Sequence, residues 1–369
     1  MPLTIHNSNM NEAKQEKYLG DFINNSGTIR KTVEERKNKG YGIVSEIIAI
    51  MGEIPLGRYK LEIGLKLRQA MLLNGILFNS EAWHAVSETE LRMLEVVDEH
   101  LLRSLVKGHS KTPLEFLYLE TGAVPIRFIL SSRRLNYHHA ILQRDDKELI
   151  KRVYKAQAED PVTGDFTELL KEDFKIINEQ QEDDQIRMTS KVIYKQQVKN
   201  KIKNAAFLYL KNKQQQHSKV KDIKYKNLST QKYILSPLFR NDEVNLLYAL
   251  RSRGTDCKVN FKQKYLHTNL KCILCKDEED NQQHVLECKI LLDAYKSEEI
   301  TSGDISYDDI FSDKISKQKV ITTLFKNLFK IRENIIEEIN SQSAPSNTDV
   351  MLEMSDPLLP SIEISSFGK

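Results

Sequence analysis

Ser87-Glu88-Thr89-Glu90-Leu91-Arg92-Met93-Leu94-Glu95-Val96-Val97-Asp98-Glu99-His100-Leu101-Leu102-Arg103-Ser104-Leu105 reads as one helix with its start signal attached. A serine hydroxyl at the N-cap can accept one of the orphan N–H groups of the first turn. A glutamate three positions later can reach back to the cap's own N–H, and Ser87 and Glu90 stand at that spacing. Behind the cap, Leu91, Leu94, Val97, Leu101, Leu102 and Leu105 recur every three or four residues, so a single apolar stripe must be covered by other elements.

The neighbouring sequence supplies the cover. From about Tyr59 to Phe78 a helix is predicted that is apolar on most faces (Leu61, Ile63, Leu65, Leu67, Met71, Leu72, Leu73, Ile76, Leu77), the pattern of a central bundle helix. A third helix runs from Val33 to Met51, with Ile43, Ile47, Ile50 and Met51 on one stripe, and ends at Gly52 and Pro55. Before it, Lys17–Ile23 reads as a strand, Asn24-Asn25-Ser26-Gly27 as a turn and Thr28-Ile29-Arg30 as a second extended piece, which predicts a β-hairpin. Downstream, Thr112-Pro113 and Pro125 each open a helix, because a proline in the first turn sacrifices no hydrogen bond.

Residues 143–190 are polar and acidic, with a loop at Asp160-Pro161-Val162-Thr163-Gly164-Asp165, and are expected to form a peripheral linker with one or two helices. Further helices are expected at 191–212, near 242–252 and at 316–340, the last on a stripe of Val320, Leu324, Leu328, Ile331, Ile335 and Ile339. The fold class expected is therefore mainly α, with a short N-terminal β-hairpin, a helical bundle, a basic helical region and a small knuckle. The divisions are a tail at 1–16, the hairpin at 17–32, the bundle at 33–142, the linker at 143–190, the basic region at 191–271, the knuckle at 272–288, C-terminal helices at 289–344 and a disordered tail at 345–369. No internal repeat is present.

The net charge of +3 hides a strong asymmetry. Residues 191–271 hold 19 Lys/Arg against 4 Asp/Glu, whereas residues 272–369 hold 10 against 19. A concentrated positive segment attracts polyanions and releases their counterions, so the balance points to nucleic acid. No apolar run approaches the roughly 20 residues that span a bilayer, and the first residues lack the regions of a signal peptide, so the expected location is intracellular, nucleus or cytoplasm, without a membrane partner.

Cys272-Ile273-Leu274-Cys275 is followed after eight residues by His284-Val285-Leu286-Glu287-Cys288, a C-x2-C-x8-H-x3-C spacing. A CxxC turn sets two thiolates on one edge of an ion, and His284 and Cys288 lie one helical turn apart. Three sulfurs and one nitrogen make a closed, tetrahedral structural site, so zinc is the expected cofactor. A knuckle this small requires its ion to fold. Cys257 and His267 stand outside the pattern.

In the basic segment Lys191, Lys195, Lys199 and Lys203 form one helical edge, with Ile193, Val198, Ile202, Ala205, Ala206, Leu208 and Leu210 expected to pack behind it. Lys201, Lys219, Lys221 and Lys224 extend the positive charge, and Tyr209, Tyr225 and Tyr233 are interleaved with it. Lysines can follow a phosphate backbone while aromatic rings stack on unpaired bases, but for each individual tyrosine a core position is the expectation. Ser306-Tyr307-Asp308-Asp309 superficially matches a polymerase Tyr-x-Asp-Asp turn, yet no residue separates Tyr307 from Asp308. Ser306 is expected to cap a helix instead, with the two acids in its first turn. His138-His139, Glu99 with His100 and Glu120 with His109 are acid–base pairs by residue type alone.

Taken in order, these features resemble the C-terminal part of a non-LTR (LINE-type) retrotransposon reverse transcriptase. The resemblance rests on Lys17-Tyr18-Leu19-Gly20-Asp21, on the helical stretch from Arg68 through Asn79-Ser80-Glu81-Ala82-Trp83, on Leu117-Tyr118-Leu119-Glu120-Thr121-Gly122-Ala123-Val124-Pro125-Ile126, and on the knuckle, which ends similarly to the family's "HLLxC". It covers about residues 17–290, and the x3 spacing before Cys288 differs from the x4 of many members. It implies a primer-grip-like hairpin with Tyr18 and Gly20 at the nucleic acid, a thumb-like bundle, and a connection ending in the knuckle. The implied partner is RNA or an RNA–DNA hybrid, with a DNA target as a further one. Only sixteen residues precede Tyr18, so a truncated polymerase without its own catalytic palm is expected, and no catalytic residue is assigned. Lys195, Lys199, Lys201, Lys203, Lys219, Lys221 and Lys224 would contact phosphates. The competing expectation is a host-adapted helical protein-interaction scaffold with a purely structural zinc site. The sequence leaves the oligomeric state open.

Overall fold

The computed structural model describes residues 4–5, 8–9, 15–18, 20–24, 27–53, 60–84, 86–261, 269–295 and 305–342. The tail expected at 345–369 and most of that at 1–16 lie outside them. The chain is mainly helical, as its periodicity predicts. Two short antiparallel pairs open it, β1 (Thr4–Ile5) with β2 (Ser8–Asn9) and β3 (Gln15–Tyr18) with β4 (Asp21–Asn24).

The hairpin forms in a register different from the one expected. Tyr18 faces Asp21 across the pair, so the chain reverses around Gly20 rather than at 24–27. Gly20 sits at φ +90, a conformation that glycine enters without a Cβ clash. Helix α1 (Arg30–Glu53) then takes up residues expected to be the second strand: Ile29 is buried and its carbonyl accepts the Val33 N–H at 3.0 Å. The Arg36 guanidinium holds the turn through Asp21 at 3.0 Å and the Gly20 carbonyl at 3.1 Å.

The central apolar helix is present as α2 (Lys60–Leu67), a π-helical turn (Arg68–Leu73) and α3 (Asn74–Ile76) in direct succession. Next, α4 (Glu88–Val106) starts at the capping box foreseen, with Ser87 Oγ accepting from Glu90 N at 3.3 Å and Glu90 Oε2 from Ser87 N at 2.8 Å. Helices α5 (Leu114–Thr121) and α6 (Ile126–Leu142) follow, with Pro113 and Pro125 at their caps.

Three helices, α7 (Leu149–Glu159), α8 (Phe166–Ile176) and α9 (Asp183–Met188), occupy the segment read as a linker with one or two. Sparse apolar residues (Tyr154, Leu170, Phe174, Ile186) all turn inward, and Arg134 of α6 binds the fully buried Asp173 at 2.7 and 2.8 Å. Such a bidentate pair satisfies a charge that burial would otherwise penalise.

Helix α10 (Lys191–Gln214) is the long basic helix, followed by α11 (Lys232–Leu235), α12 (Asn241–Arg251), α13 (Gln282–Glu287), α14 (Lys289–Ala294) and α15 (Ile315–Gln342). In α10 the buried face is Tyr194, Val198, Ile202, Ala206, Phe207 and Leu210, while Ile193 and Leu208 are exposed, a shift from the set expected to pack. In α15 the period is as read and Leu328 is buried as expected, but the buried face is turned toward Ile321 and Phe325; Leu324, Ile331 and Ile335 are half-buried and Val320 and Ile339 exposed.

Two apolar cores result. The smaller joins α1, α2–α3, α4 and the start of α6 around Val33, Ile47, Leu72, Ile76, Leu94, Val97 and Leu101. The larger runs from α5 and α6 through α8, α10 and α12 to the knuckle and α15. Each fully buried leucine contributes roughly 1.5–3 kcal/mol relative to an exposed one. Helix α6 serves both cores, so the bundle and the basic region are packed on a shared element. Among the described residues no helix is long and apolar enough to cross a membrane.

Candidate functional site

Metal-ligand geometry is set by a tight turn and a short helix. Cys272 and Cys275 flank a turn in which the Lys276 N–H returns to the Cys272 carbonyl at 2.9 Å, with Lys276 itself at φ 60. The Cys272 N–H then reaches the Glu278 carbonyl at 2.7 Å, and Lys271 and Glu279 bridge antiparallel. Asn281 caps α13 by accepting the His284 N–H at 2.9 Å, and Cys288 closes that helix through the His284 carbonyl at 2.7 Å.

The consequence is that the ligand atoms of Cys272, Cys275, His284 and Cys288 all lie within 4.8 Å of one another, with His284 Nε2 3.3 Å from Cys275 Sγ. A tetrahedral zinc with Zn–S bonds of about 2.3 Å needs sulfurs roughly 3.8 Å apart, so the cluster requires only a small contraction. The turn is also built to receive negative sulfur. Backbone N–H groups of Glu278 and Asp277 point at Cys275 and lower its pKa, the Glu278 contribution being the larger. Burial pushes the Cys272 thiol up to about 11, against the opposing N–H groups of Cys275 and Leu274. The donor set fits zinc, and the four protein ligands leave no open position for a substrate. Cys257 stays outside the cluster; its thiol is buried and lies 3.8 Å from the Thr255 hydroxyl, as a small core side chain.

The knuckle is anchored on two sides. Arg332 of α15 donates to the buried Asp280 carboxylate at 2.7 Å, and Gln282 Nε2 donates to the Leu250 carbonyl at the end of α12 at 3.0 Å. Asp280 also receives the Lys258 N–H at 3.0 Å, and the 258–261 turn in turn accepts Lys219 Nζ through the Asn260 carbonyl at 2.8 Å. The loop of the Cys272–Cys288 cluster therefore braces the segment that follows the basic helix.

On α10 the lysines separate into distinct groups. Lys195, Lys199 and Lys203 share one wall of a cleft of about 600 Å³. Opposite them stand Leu65, Arg68 and Gln69 from α2 and its π-turn, the 121–124 loop, and Ile129, Ser132 and Asn136 of α6. None of the lining side chains is acidic, and none of the three lysines has a carboxylate partner among the described residues. Arg68, at the cleft, is already neutralised by Asp98 at 2.6 and 2.7 Å. Lys201 points away and pairs with Glu179, while Lys221 and Lys224 are exposed on the turn after α10. Tyr18 is largely exposed on the hairpin, with Gly20 beside it, and neither lines this cleft.

The tyrosines are not stacking platforms where they are buried. Tyr225 and Tyr233 donate to the two oxygens of Glu120 at 2.5 and 2.7 Å, and Arg251 closes the node at 2.9 and 3.0 Å. Glu120 is fully buried, and burial, reinforced by its charge, raises both phenols well above their ordinary pKa. This node, with Arg68–Asp98, is what residue-type reasoning missed; its members lie as far apart as Glu120 and Arg251, and no local pattern marks them. Gly122 holds the adjacent cleft loop at φ +67, where a Cβ would come within 2.1 Å of the Thr230 nitrogen. His109 lies elsewhere, against Phe261. Ser306 caps the 3-10 turn Tyr307–Phe311 and Asp309 pairs with Lys317 at 3.1 Å, so those acids are structural.

Compared with family models, with curated proteins and with solved structures, the chain finds no match. Its function is therefore argued from the cluster and the cleft themselves.

Proposed function

We infer that this protein binds RNA or an RNA–DNA hybrid along the Lys195–Lys199–Lys203 row, with zinc in the Cys272, Cys275, His284, Cys288 cluster holding the surrounding structure rigid. The reading extends the resemblance to the C-terminal region of non-LTR reverse transcriptases, in which a thumb and connection grip nucleic acid while catalysis resides elsewhere. One observation carries it: three lysines at i, i+4 spacing face a wall without a single acidic side chain. Unpaired lysines held together on a folded surface repel one another, and a polyanion removes that cost while releasing counterions. The knuckle contributes through the Asp280, Lys258 and Asn260 contacts that lead to Lys219.

The test is binding of labelled RNA and RNA–DNA hybrid across a salt series, with zinc content measured on the same sample. Binding that weakens steeply with salt and disappears in Lys195→Glu/Lys199→Glu/Lys203→Glu supports the reading. Binding no stronger than that of a neutral control protein rejects it.

The protein-interaction scaffold has one observation in its favour. Met188 at the end of α9 and Val192 and Ile193 at the start of α10 are all exposed, a few residues before the lysine row. Retained nucleic-acid binding after all three are changed to Ser would separate that patch from the grip.

A further inference from the structure

We propose that the cleft beside the lysine row takes an unpaired nucleotide, so that the preferred ligand is single-stranded nucleic acid whose base enters the cleft while its phosphates remain on the lysines. The proposal rests on the nucleic-acid reading above and adds to it the strand state of the ligand.

Three features lead to this ligand. The first is spacing. Residues four apart on a helix rise about 6 Å, close to the separation of successive phosphates along an extended single strand. Lys195, Lys199 and Lys203 can thus meet consecutive phosphates of one strand. The second is size and shape. A cleft of about 600 Å³ between α10 and the α2–α6 wall accommodates a nucleotide and is far too small to admit a duplex, which could only lie across its mouth.

The third is the lining. Leu65 and Ile129 offer half-exposed aliphatic surfaces, against which a base can pack as flipped bases do against apolar side chains. Among them stand two neutral amides, Gln69 and Asn136. The Asn136 Nδ2 group is used locally, donating to the Ser132 carbonyl at 2.5 Å, which leaves its Oδ1 as a free acceptor. Gln69 has no partner among the described residues and presents both donor and acceptor. Neutral amides suit the edge of a base, whereas a second phosphate would call for further cations. The π-helical turn at Arg68–Leu73 begins at this wall, and such turns often mark binding sites because they displace side chains from the regular helical face.

The test uses the full chain and two 12-nucleotide probes, a single-stranded RNA and the same sequence as a blunt duplex, at one salt concentration. The wild type is expected to bind the single strand about tenfold more tightly, as burial of roughly one base against apolar side chains would give. Ser132→Trp, which fills the cleft and leaves the lysines in place, should remove that preference without weakening duplex binding. Should that variant melt well below the wild type, Gln69→Leu with Asn136→Leu replaces it and is expected to act in the same direction. Equal affinity for both probes, or a single-strand preference untouched by the folded variants, overturns the inserted base while the lysine grip stands. Failure of every probe to bind overturns both readings together.

Discussion

Arg332 and Asp280 form an ion pair of 2.7 Å between the long C-terminal helix α15 and the loop of the Cys272–Cys288 cluster, with both side chains almost wholly buried. The same guanidinium donates to the Asp256 carbonyl at 3.1 Å. One side chain thus fixes the knuckle, α15 and the loop that follows α12 relative to one another. Breaking it should be felt throughout that end of the molecule.

Arg332→Met is expected to destabilise the fold by about 3 kcal/mol, because it leaves a buried carboxylate with only the Lys258 N–H for compensation. Urea unfolding of the variant measures this directly. A loss under about 1 kcal/mol would show that Asp280 finds another partner or water.

Purified protein is expected to carry one zinc per chain, and Cys275→Ser should lose most of it. Removing the ion with a chelator should increase hydrogen exchange across 270–288 and in the 258–261 turn braced by Asp280, while α1, which lies in the other core, keeps its protection. Metal analysis that finds no zinc in chelator-free preparations would remove the assignment.

The salt dependence of nucleic-acid binding should fall when the lysine row is neutralised. Lys195→Gln/Lys199→Gln/Lys203→Gln removes three phosphate contacts, so the slope of log K against log salt should lessen by about 2 on a single strand. An unchanged slope would place the phosphate contacts on other lysines, Lys219, Lys221 and Lys224 first among them.

Glu120→Gln should cost more than a typical surface change, about 3–5 kcal/mol, because Arg251 would remain charged and buried without its counterion. Thermal unfolding provides the measurement, and a variant as stable as the wild type would show that the two tyrosines and the Ile310 carbonyl suffice for Arg251.

Alkaline stability follows from the same node. The folded-state pKa values of Tyr225 and Tyr233 are raised above the ordinary value of 10.0, so the unfolded chain loses these protons first. Their contribution is fully present below pH 10 and is lost as pH rises beyond it. Phenolate absorbance should therefore show tyrosines that ionise only together with unfolding. Ionisation of every tyrosine near pH 10 in still-folded protein would contradict the burial.

Local chemistry made much of this molecule legible in its sequence. The capping box at Ser87 and Glu90, the apolar helices and the Cys272, Cys275, His284, Cys288 cluster are recognised from residues within a turn or a short loop of one another, and local spacing is what a sequence displays. Errors arose where two local solutions compete. The hairpin reverses at Gly20, and α1 starts at Arg30 with Ile29 buried at its entry, where a second extended piece was expected. The α10 and α15 faces are rotated because helical period alone does not say which of several apolar residues a neighbouring helix will cover.

What the sequence by itself determined was the helical class, the ligand set for a metal and the concentration of positive charge, each written in neighbouring residues. The tertiary structure alone decided which lysines stand together, since α2, α6 and α10 must meet before Lys195, Lys199 and Lys203 can share a cleft with Gln69 and Asn136. It alone joined Glu120 to Tyr225, Tyr233 and Arg251, and Asp280 to Arg332. Buried charges choose their partners by packing, and packing depends on long-range contacts that no local spacing records.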